Sequence, residues 1–171
     1  MRNLIVAVAV ALAAAPAAAQ TVAVADMLNS AGEMIGDVTL QETASGGVLV
    51  RVDIESLPPG SHAFHIHETG RCVAPDFTSA GGHYAGDKAH GFMHEDGPHP
   101  GDFPNVEVGD DGSLRLTFYN DRIGVSDGEN PVLDSDGSAV VIHAGPDDYR
   151  SQPAGAAGPR IACGVIEAQP M

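Results

Sequence analysis

A repeating alternation of apolar and polar residues limits the folds that this chain can adopt. From Val22 onward, apolar residues recur at every second position in short runs, and clusters of Gly, Asp, Asn and Pro separate these runs. A period of two puts alternate side chains on opposite faces of a strand, whereas a helix needs a period near 3.6. The chain is therefore predicted to be all-β. The predicted strands are 22–27, 34–41, 48–54, 62–67, 106–108, 114–119, 139–143 and 161–166.

Eight short strands joined by turns favour an eight-stranded Greek-key β-barrel or sandwich with immunoglobulin-like architecture. A chain of 171 residues that is 43% hydrophobic can supply the core of one such domain. Two longer segments, 68–105 and 144–160, interrupt the strand pattern and are rich in Gly, Pro and Asp. Because long loops in a compact domain usually carry function, we expect these two to do so. The clusters at 110–112 and 136–137 are predicted to be hairpin turns.

Residues 1–19 have the pattern of a cleaved secretory signal peptide. Arg2 precedes an apolar run, and three alanines follow Pro16 before Gln20. A membrane anchor is the alternative, but the run is shorter than the roughly 20 residues that span a bilayer. We therefore expect residues 20–171 to form a single exported domain without stable membrane association.

The charge of the chain is strongly acidic. Eight Lys and Arg residues stand against 23 Asp and Glu residues, which gives a net charge of −15. Polyanions repel such a surface, so the composition argues against nucleic acid and anionic membranes as partners.

The chain has two cysteines, Cys72 and Cys163. An exported protein meets an oxidising compartment, where paired cysteines form disulfides. One intramolecular disulfide is the simplest interpretation, and two buried free thiols are the alternative.

Three histidines in predicted strands are placed as metal ligands would be. His65 and His67 flank Ile66, so a strand directs both imidazoles to one face and Ile66 to the other. His143 ends another predicted strand. With a fourth histidine from a loop, they would form the nitrogen-rich set that suits Cu(II). The alternative for His65 and His67 is an ordinary surface pair.

A second group of possible ligands lies within segment 68–105, at His83, His90, His99 and Asp102. Three nitrogens and one carboxylate oxygen, with no position left for water, are typical of a closed structural zinc site. The alternative is a polar loop whose histidines share no role.

These motifs together resemble those of the copper/zinc superoxide dismutases, especially the exported bacterial members. The resemblance extends over roughly 36–166. Its motifs are Phe64-His65-Ile66-His67, Gly81-Gly82-His83, His99-Pro100-Gly101-Asp102, Val141-Ile142-His143-Ala144-Gly145 and Gly158-Pro159-Arg160-Ile161-Ala162-Cys163-Gly164-Val165-Ile166. The resemblance implies one copper and one zinc per subunit and superoxide as the substrate. It also implies a monomer or homodimer in the periplasm of a Gram-negative bacterium.

The resemblance further implies which residues bind each metal. The implied copper ligands are His65, His67, His83 and His143, and the implied zinc ligands are His83, His90, His99 and Asp102. His83 would then bridge the two metals. His94 is the alternative to His90, but the nine-residue step from His90 to His99 fits the family better.

Other residues acquire roles by the same resemblance. Cys72 and Cys163 match the family disulfide, and Arg160 matches the arginine that guides the anionic substrate. Asp147 matches an aspartate that hydrogen-bonds one copper histidine and one zinc histidine, with the adjacent Asp148 as the alternative. A periplasmic copper/zinc-binding protein without significant turnover remains the alternative function, although a carrier needs neither a bridging histidine nor Arg160.

Overall fold

The computed structural model describes residues 22–169, so the predicted signal peptide lies outside the described residues. Apart from one 3-10 turn at Thr78–Ala80, the regular elements of the described part are strands. No helix in residues 22–169 has the length and apolar character needed to cross a membrane. The strands are β1 (Val22–Asn29), β2 (Met34–Glu42), β3 (Val48–Ile54), β4 (Gly60–His62), β5 (Phe64–His67), β6 (Val106–Val108), β7 (Leu114–Asn120), β8 (Ala139–His143) and β9 (Arg160–Ala168).

Seven of these strands form one antiparallel sheet in the order β5-β8-β9-β1-β2-β3-β7. The other two strands, β4 and β6, pair with each other. Strands that are distant in sequence, such as β3 and β7 or β5 and β8, lie side by side, as Greek-key connectivity requires. The predicted all-β Greek-key barrel is confirmed.

The core explains how the first long loop is fixed to the barrel. Alternate residues of β3 are buried, as its period of two predicts, so the strand directs one face into this core.

An aromatic pair fixes the first long loop to the core. Phe64 of β5 packs edge-on against Phe103, with ring centroids 5.3 Å apart. Because Phe103 directly follows Asp102, burial of its ring anchors the predicted ligand segment, and such burial contributes roughly 1.5–3 kcal/mol.

One predicted strand is divided in two. Segment 62–67 was expected to be continuous, but the chain leaves one sheet after His62 and enters the other at Phe64. β4 therefore pairs with β6, whereas β5 pairs with β8. The described part has nine strands for this reason rather than eight.

The prediction of a hairpin at Asp136-Gly137 was wrong. These residues lie in a long connection between β7 and β8, two strands that are not neighbours in the sheet. The turn at 110–112 does form, since Gly109 N donates to Ser113 O at 3.0 Å. It joins strands of different sheets. We call the three long connections loop A (68–105), loop B (121–138) and loop C (144–159).

The Cys72–Cys163 disulfide ties loop A to β9. The two Cα atoms are 5.7 Å apart, and 91 positions separate the cysteines in sequence. Cys163 is fully buried and packs in a small cluster with Phe77 and Ala80 of loop A and Val141 of β8. The disulfide therefore fastens loop A beside the strand that ends in His143.

Candidate metal centre

Two paired strands and loop A bring the predicted copper ligands together. β5 carries His65 and His67, and its antiparallel neighbour β8 ends in His143. On its other edge β5 contacts loop A, where His67 forms a β-bridge with His83. The His83 ring centroid lies 4.0 Å from that of His65 and 4.9 Å from that of His67. One nitrogen of each of the four histidines lies within 4.8 Å of the others.

Each of these four imidazoles has one buried nitrogen without a hydrogen-bond partner among the described residues. The four atoms are His65 Nδ1, His67 Nε2, His83 Nε2 and His143 Nε2. Burying one unsatisfied polar atom costs about 1–3 kcal/mol, so four in one place are unfavourable unless a ligand satisfies them. A cation that accepts nitrogen ligands fits this set.

The other nitrogen of the three strand histidines faces a hydrogen-bond acceptor. Since carbonyl and carboxylate oxygens can only accept, each outer nitrogen carries the proton and each inner nitrogen keeps its lone pair. The three contacts are His65 Nε2 to Asp147 Oδ2 at 2.8 Å, His67 Nδ1 to Gly81 O at 3.0 Å and His143 Nδ1 to Gly158 O at 3.1 Å.

Burial keeps three of these imidazoles, those of His67, His83 and His143, neutral. It lowers the pKa of His83 and of His143 to about 4, and it lowers the pKa of His67 well below its usual value. Only a neutral imidazole has a lone pair for a metal. The site is therefore prepared for a cation across the physiological pH range.

The predicted zinc ligands converge on one carboxylate oxygen. Asp102 Oδ1 lies 3.1 Å from Nδ1 of His83, 3.2 Å from Nδ1 of His90 and 3.3 Å from Nδ1 of His99. Asp102 is fully buried, and its Oδ2 accepts the backbone N–H groups of Gly91 and His99. Three nitrogens and one oxygen around a common point fit a closed tetrahedral zinc site.

The charge of Asp102 is maintained despite its burial. Burial raises the pKa of this carboxyl, but the close imidazoles of His83, His90 and His99 outweigh burial and hold the pKa well below its usual range. An ionised carboxylate is the form that binds zinc.

Asp147 connects the two groups of ligands. Its Oδ2 accepts from His65 Nε2 at 2.8 Å, and its Oδ1 accepts from His90 Nε2 at 3.0 Å and from Tyr149 N at 2.6 Å. Burial lowers the pKa of His90, yet its contacts with the carboxylates of Asp102 and Asp147 prevail and raise it to about 9, so a cation at Nδ1 would have to displace a proton from that nitrogen. The neighbouring Asp148 is exposed and bonds only within loop C. Asp147, and not Asp148, occupies the position between the two sets.

Three residues that the sequence does not single out, Asn105, Gln152 and Gly155, hold Asp147 and His90 in place. Asn105 pairs with both sides of the Asp147 backbone, accepting from its N–H at 2.8 Å and donating to its carbonyl at 3.0 Å. Gln152 bonds the backbone of His90 in the same two-way manner, at 3.0 and 2.9 Å. Gly155 has a φ of +66°, and a Cβ there would collide with the Asp147 carboxylate. Nothing in the local sequence marks these three residues, because their partners are distant in the chain.

Arg160 lies beside the first group of histidines. Its guanidinium donates to Phe77 O and Gly81 O, each at 2.6 Å. Gly81 O also accepts from His67, so this carbonyl links the arginine to a predicted copper ligand. The half-buried cation contributes to lowering the pKa of His67 and of His143. Arg160 therefore places a fixed positive charge beside the first group of histidines.

Two further histidines lie outside both groups. His62 is buried, and its two ring nitrogens each lie 2.8 Å from a backbone carbonyl, of Pro58 and of His143. His94 accepts a hydrogen bond from Asp96 N within its own turn. Within residues 22–169, the side chains that lie close enough together to hold a metal include His90 but neither of these two.

The sequence matches the family model described as copper/zinc superoxide dismutase over residues 34–166. The chain is 47% identical over 146 residues to superoxide dismutase [Cu-Zn] 1 of Aquifex aeolicus, covering 84% of this chain and 86% of that protein. It is 43% identical over 140 residues to superoxide dismutase [Cu-Zn] of Caulobacter vibrioides, with 80% of each chain covered.

Solved structures agree with these sequence matches. A SOD-like protein from Bacillus subtilis has a TM-score of 0.80 and 39% identity, covering 84% of this chain and 97% of that chain. Cu/Zn superoxide dismutase from Brucella abortus has a TM-score of 0.65 and 30% identity, covering 85% and 99%. The chain therefore belongs to the copper/zinc superoxide dismutase family, whose enzymes use copper and zinc and act on superoxide.

Proposed function

We propose that this protein is an exported superoxide dismutase in which His83 belongs to both metal sites. The observation that carries the proposal is the convergence of two buried ligand groups that share this residue. His65, His67, His83 and His143 would hold copper, and His83, His90, His99 and Asp102 would hold zinc. The reaction joins two superoxide anions and two protons to give dioxygen and hydrogen peroxide.

Bound copper supplies a one-electron carrier that alternates between two oxidation states, so that one superoxide is oxidised and the next is reduced. The chain supplies the ligand geometry. Asp147, Gly81 and Gly158 accept from the outer nitrogens, which leaves the inner nitrogens of His65, His67 and His143 free of protons. These acceptors also fix the ring planes, so little reorganisation accompanies each electron transfer.

His83 is suited to handle a proton in the proposed cycle. Its Nε2 faces the copper histidines, while its Nδ1 lies 3.1 Å from Asp102 in the zinc group. Nε2 would hold either copper or a proton: we propose that it takes up a proton from solvent when it is not bound to copper, and that this proton passes to the peroxide product. Within the zinc group the His83 ring would be held at its Nδ1 side, so that Nε2 would return to the same position after each turnover.

Arg160 is the proposed guide for superoxide. Its guanidinium has five N–H donors, and the two carbonyls that fix it leave donors for a small anion. On a protein with a net charge of −15, a local cation is needed to draw an anion to the metal. The charge of Arg160 is therefore expected to raise the rate at which superoxide binds, without affecting metal binding.

Export is supported by two features of the chain. Residues 1–19 have the composition of a secretory signal, and a disulfide persists where the surroundings are oxidising. We propose that residues 20–171 work as one domain in the bacterial periplasm, as a monomer or homodimer without stable membrane association.

The test combines metal analysis with an assay of superoxide dismutation on the purified mature protein. We expect one copper and one zinc per chain and rapid dismutation. Arg160→Ala should lower the rate by about tenfold or more, because local charges of this kind raise association rates by about 10–1,000-fold, while metal content stays the same. Arg115→Ala is the matched control, since Arg115 pairs with Asp53 and Glu55 on an exposed part of the sheet. Full loading with copper and zinc but no dismutation would contradict the proposal and favour a metal-binding protein without turnover.

A further inference from the structure

The backbone between the last two proposed zinc ligands is held from three directions. Residues 99–102 form a tight turn in which Asp102 N donates to His99 O at 3.2 Å. Each of the next carbonyls of this turn accepts a hydrogen bond from a different part of the fold. The three hydrogen bonds run from Asn120 Nδ2 to Pro100 O at 3.0 Å, from Ile66 N to Gly101 O at 2.9 Å and from Arg122 Nη2 to Asp102 O at 2.8 Å.

The contact from Arg122 differs from the other two because it is charged and acts on a ligand residue itself. Hydrogen bonds that involve an ionised group are roughly twice as strong as neutral ones. Asn120 at the end of β7 and Asn130 of loop B fix the backbone of Arg122 on both sides, since Arg122 N donates to Asn120 Oδ1 and Arg122 O accepts from Asn130 Nδ2, each at 2.9 Å. The guanidinium is therefore presented to Asp102 from a rigid support.

An aromatic side chain lies next to this guanidinium. Arg122 Cζ lies 5.7 Å from the centroid of the Phe92 ring, within the range of a cation–π contact. The Phe92 ring in turn meets the ring of Tyr149 edge-on at 5.7 Å, and Tyr149 N donates to Asp147. The row Arg122, Phe92 and Tyr149 thus extends from the backbone of Asp102 to the carboxylate of Asp147.

We infer that Arg122 is a positioning residue for the zinc half of the centre, acting through the carbonyl of Asp102. The inference rests on the proposed assignment of zinc to His83, His90, His99 and Asp102. A tetrahedral site requires Asp102 Oδ1 to lie close to three imidazole nitrogens at the same time. The position of the Asp102 backbone must therefore be fixed. Loss of the Arg122 contact frees that carbonyl and lets the carboxylate move away from the imidazoles.

The test measures the rate at which a chromogenic chelator removes zinc from the fully metallated protein. We expect Arg122→Gln to bind zinc about 10–100-fold more weakly than wild type, the usual effect of losing a group that orients a metal ligand, and to release it correspondingly faster. Arg122→Lys should fall between the two, because it keeps the charge but loses the planar fork. Arg51→Gln is the matched control, since it removes an equal charge from an exposed site where Arg51 bonds Gln41.

A second readout separates positioning from a general loss of stability. With Co²⁺ in place of zinc, the intensity of the visible absorption bands reports how tetrahedral the site is. We expect these bands to change in Arg122→Gln and Arg122→Lys but not in Arg51→Gln. The metal-free Arg122 variants should unfold at nearly the same temperature as the metal-free wild type. Faster zinc release then does not reflect a general loss of stability. Arg122→Lys carries the test if Arg122→Gln fails to fold.

Two outcomes would overturn the inference. One is zinc release from the Arg122 variants within twofold of Arg51→Gln. The other is an unchanged Co²⁺ spectrum. His99→Ala distinguishes this failure from failure of the zinc assignment. If His99→Ala loses zinc while the Arg122 variants keep it, only the role of Arg122 falls, whereas retention of zinc by His99→Ala would refute the site itself.

Discussion

Replacing the Asp147 carboxylate with an amide tests the link between the two proposed metal sites. In Asp147→Asn the side chain keeps its shape, but only one of its two outer atoms can still accept a hydrogen bond. The carboxylate now serves His65 through Oδ2, and it serves His90 and Tyr149 N through Oδ1. The amide oxygen is expected at the Oδ1 position, where two donors converge, and this places the NH₂ group against His65.

The substitution changes the hydrogen bond of one ligand in each proposed metal site. His65 Nε2 would face an N–H group, so its proton must move to Nδ1, the nitrogen that would bind copper. His90 keeps an acceptor, but a neutral one, and so loses the strengthening that a charge provides. Loss of such partners usually weakens metal binding by 10–100-fold, or about 1.4–2.7 kcal/mol. We expect both metals to bind more weakly by at least about tenfold.

Competition with chelators of known affinity measures both dissociation constants in the same preparation. Asp148→Asn is the matched control, because the adjacent carboxylate is exposed and contacts only loop C. It removes the same charge without touching an imidazole. Copper and zinc affinities of Asp147→Asn within twofold of those of Asp148→Asn would refute the assignment of Asp147 and the tautomer argument with it.

Two more predictions concern the disulfide and the choice of zinc ligand. Cys72→Ser opens a link between residues 91 positions apart, so the free energy of unfolding of the metal-free protein should fall by about 4.6 kcal/mol in the chain-entropy model. Denaturant titration measures this, and a fall below about 1 kcal/mol would contradict it. His90→Ala should retain far less zinc than His94→Ala after dialysis, because His90 Nδ1 lies 3.2 Å from Asp102 while His94 bonds within its own turn. Equal zinc retention would show that His90 is not a ligand.

Strand positions could be predicted because the alternation that reveals them is local. In β3, the residues at alternate positions are buried, and the boundaries predicted from the sequence match those of the structure. β5 and β8 are buried on both faces, so alternation is absent there. The division of segment 62–67 at Ala63 could not be predicted, since it depends on which distant strands pair with each half.

The hairpin predicted at 136–137 does not form for a related reason. Asp136-Gly137 is typical of a tight turn, and local sequence does not indicate that the neighbouring strands lie apart in the sheet. The turn at 110–112 has the same composition and does form. Turn residues therefore predict that the chain bends, but not which strands the bend joins.

The histidine groups could be predicted from residue type and motif, but their internal geometry could not. The sequence does not show that His65 turns Nδ1 inward while His67 and His143 turn Nε2 inward. This depends on the acceptors Asp147, Gly81 and Gly158, whose positions are set by loops A and C. Arg122 escaped notice because its partner lies 20 positions away and no periodic pattern connects them.

The two buried carboxylates explain why the long loops adopt one conformation without a large core of their own. Asp102 Oδ2 accepts the backbone N–H groups of Gly91 and His99, and Asp147 Oδ1 accepts that of Tyr149. Each carboxylate thus has two roles: it fixes the loop backbone by accepting N–H hydrogen bonds, and it contacts the imidazoles. A buried carboxylate is stable only when it is fully partnered, so ligand geometry and loop order depend on each other. Cation binding at these groups would therefore stabilise loops A and C directly, while the barrel depends on its separate apolar core.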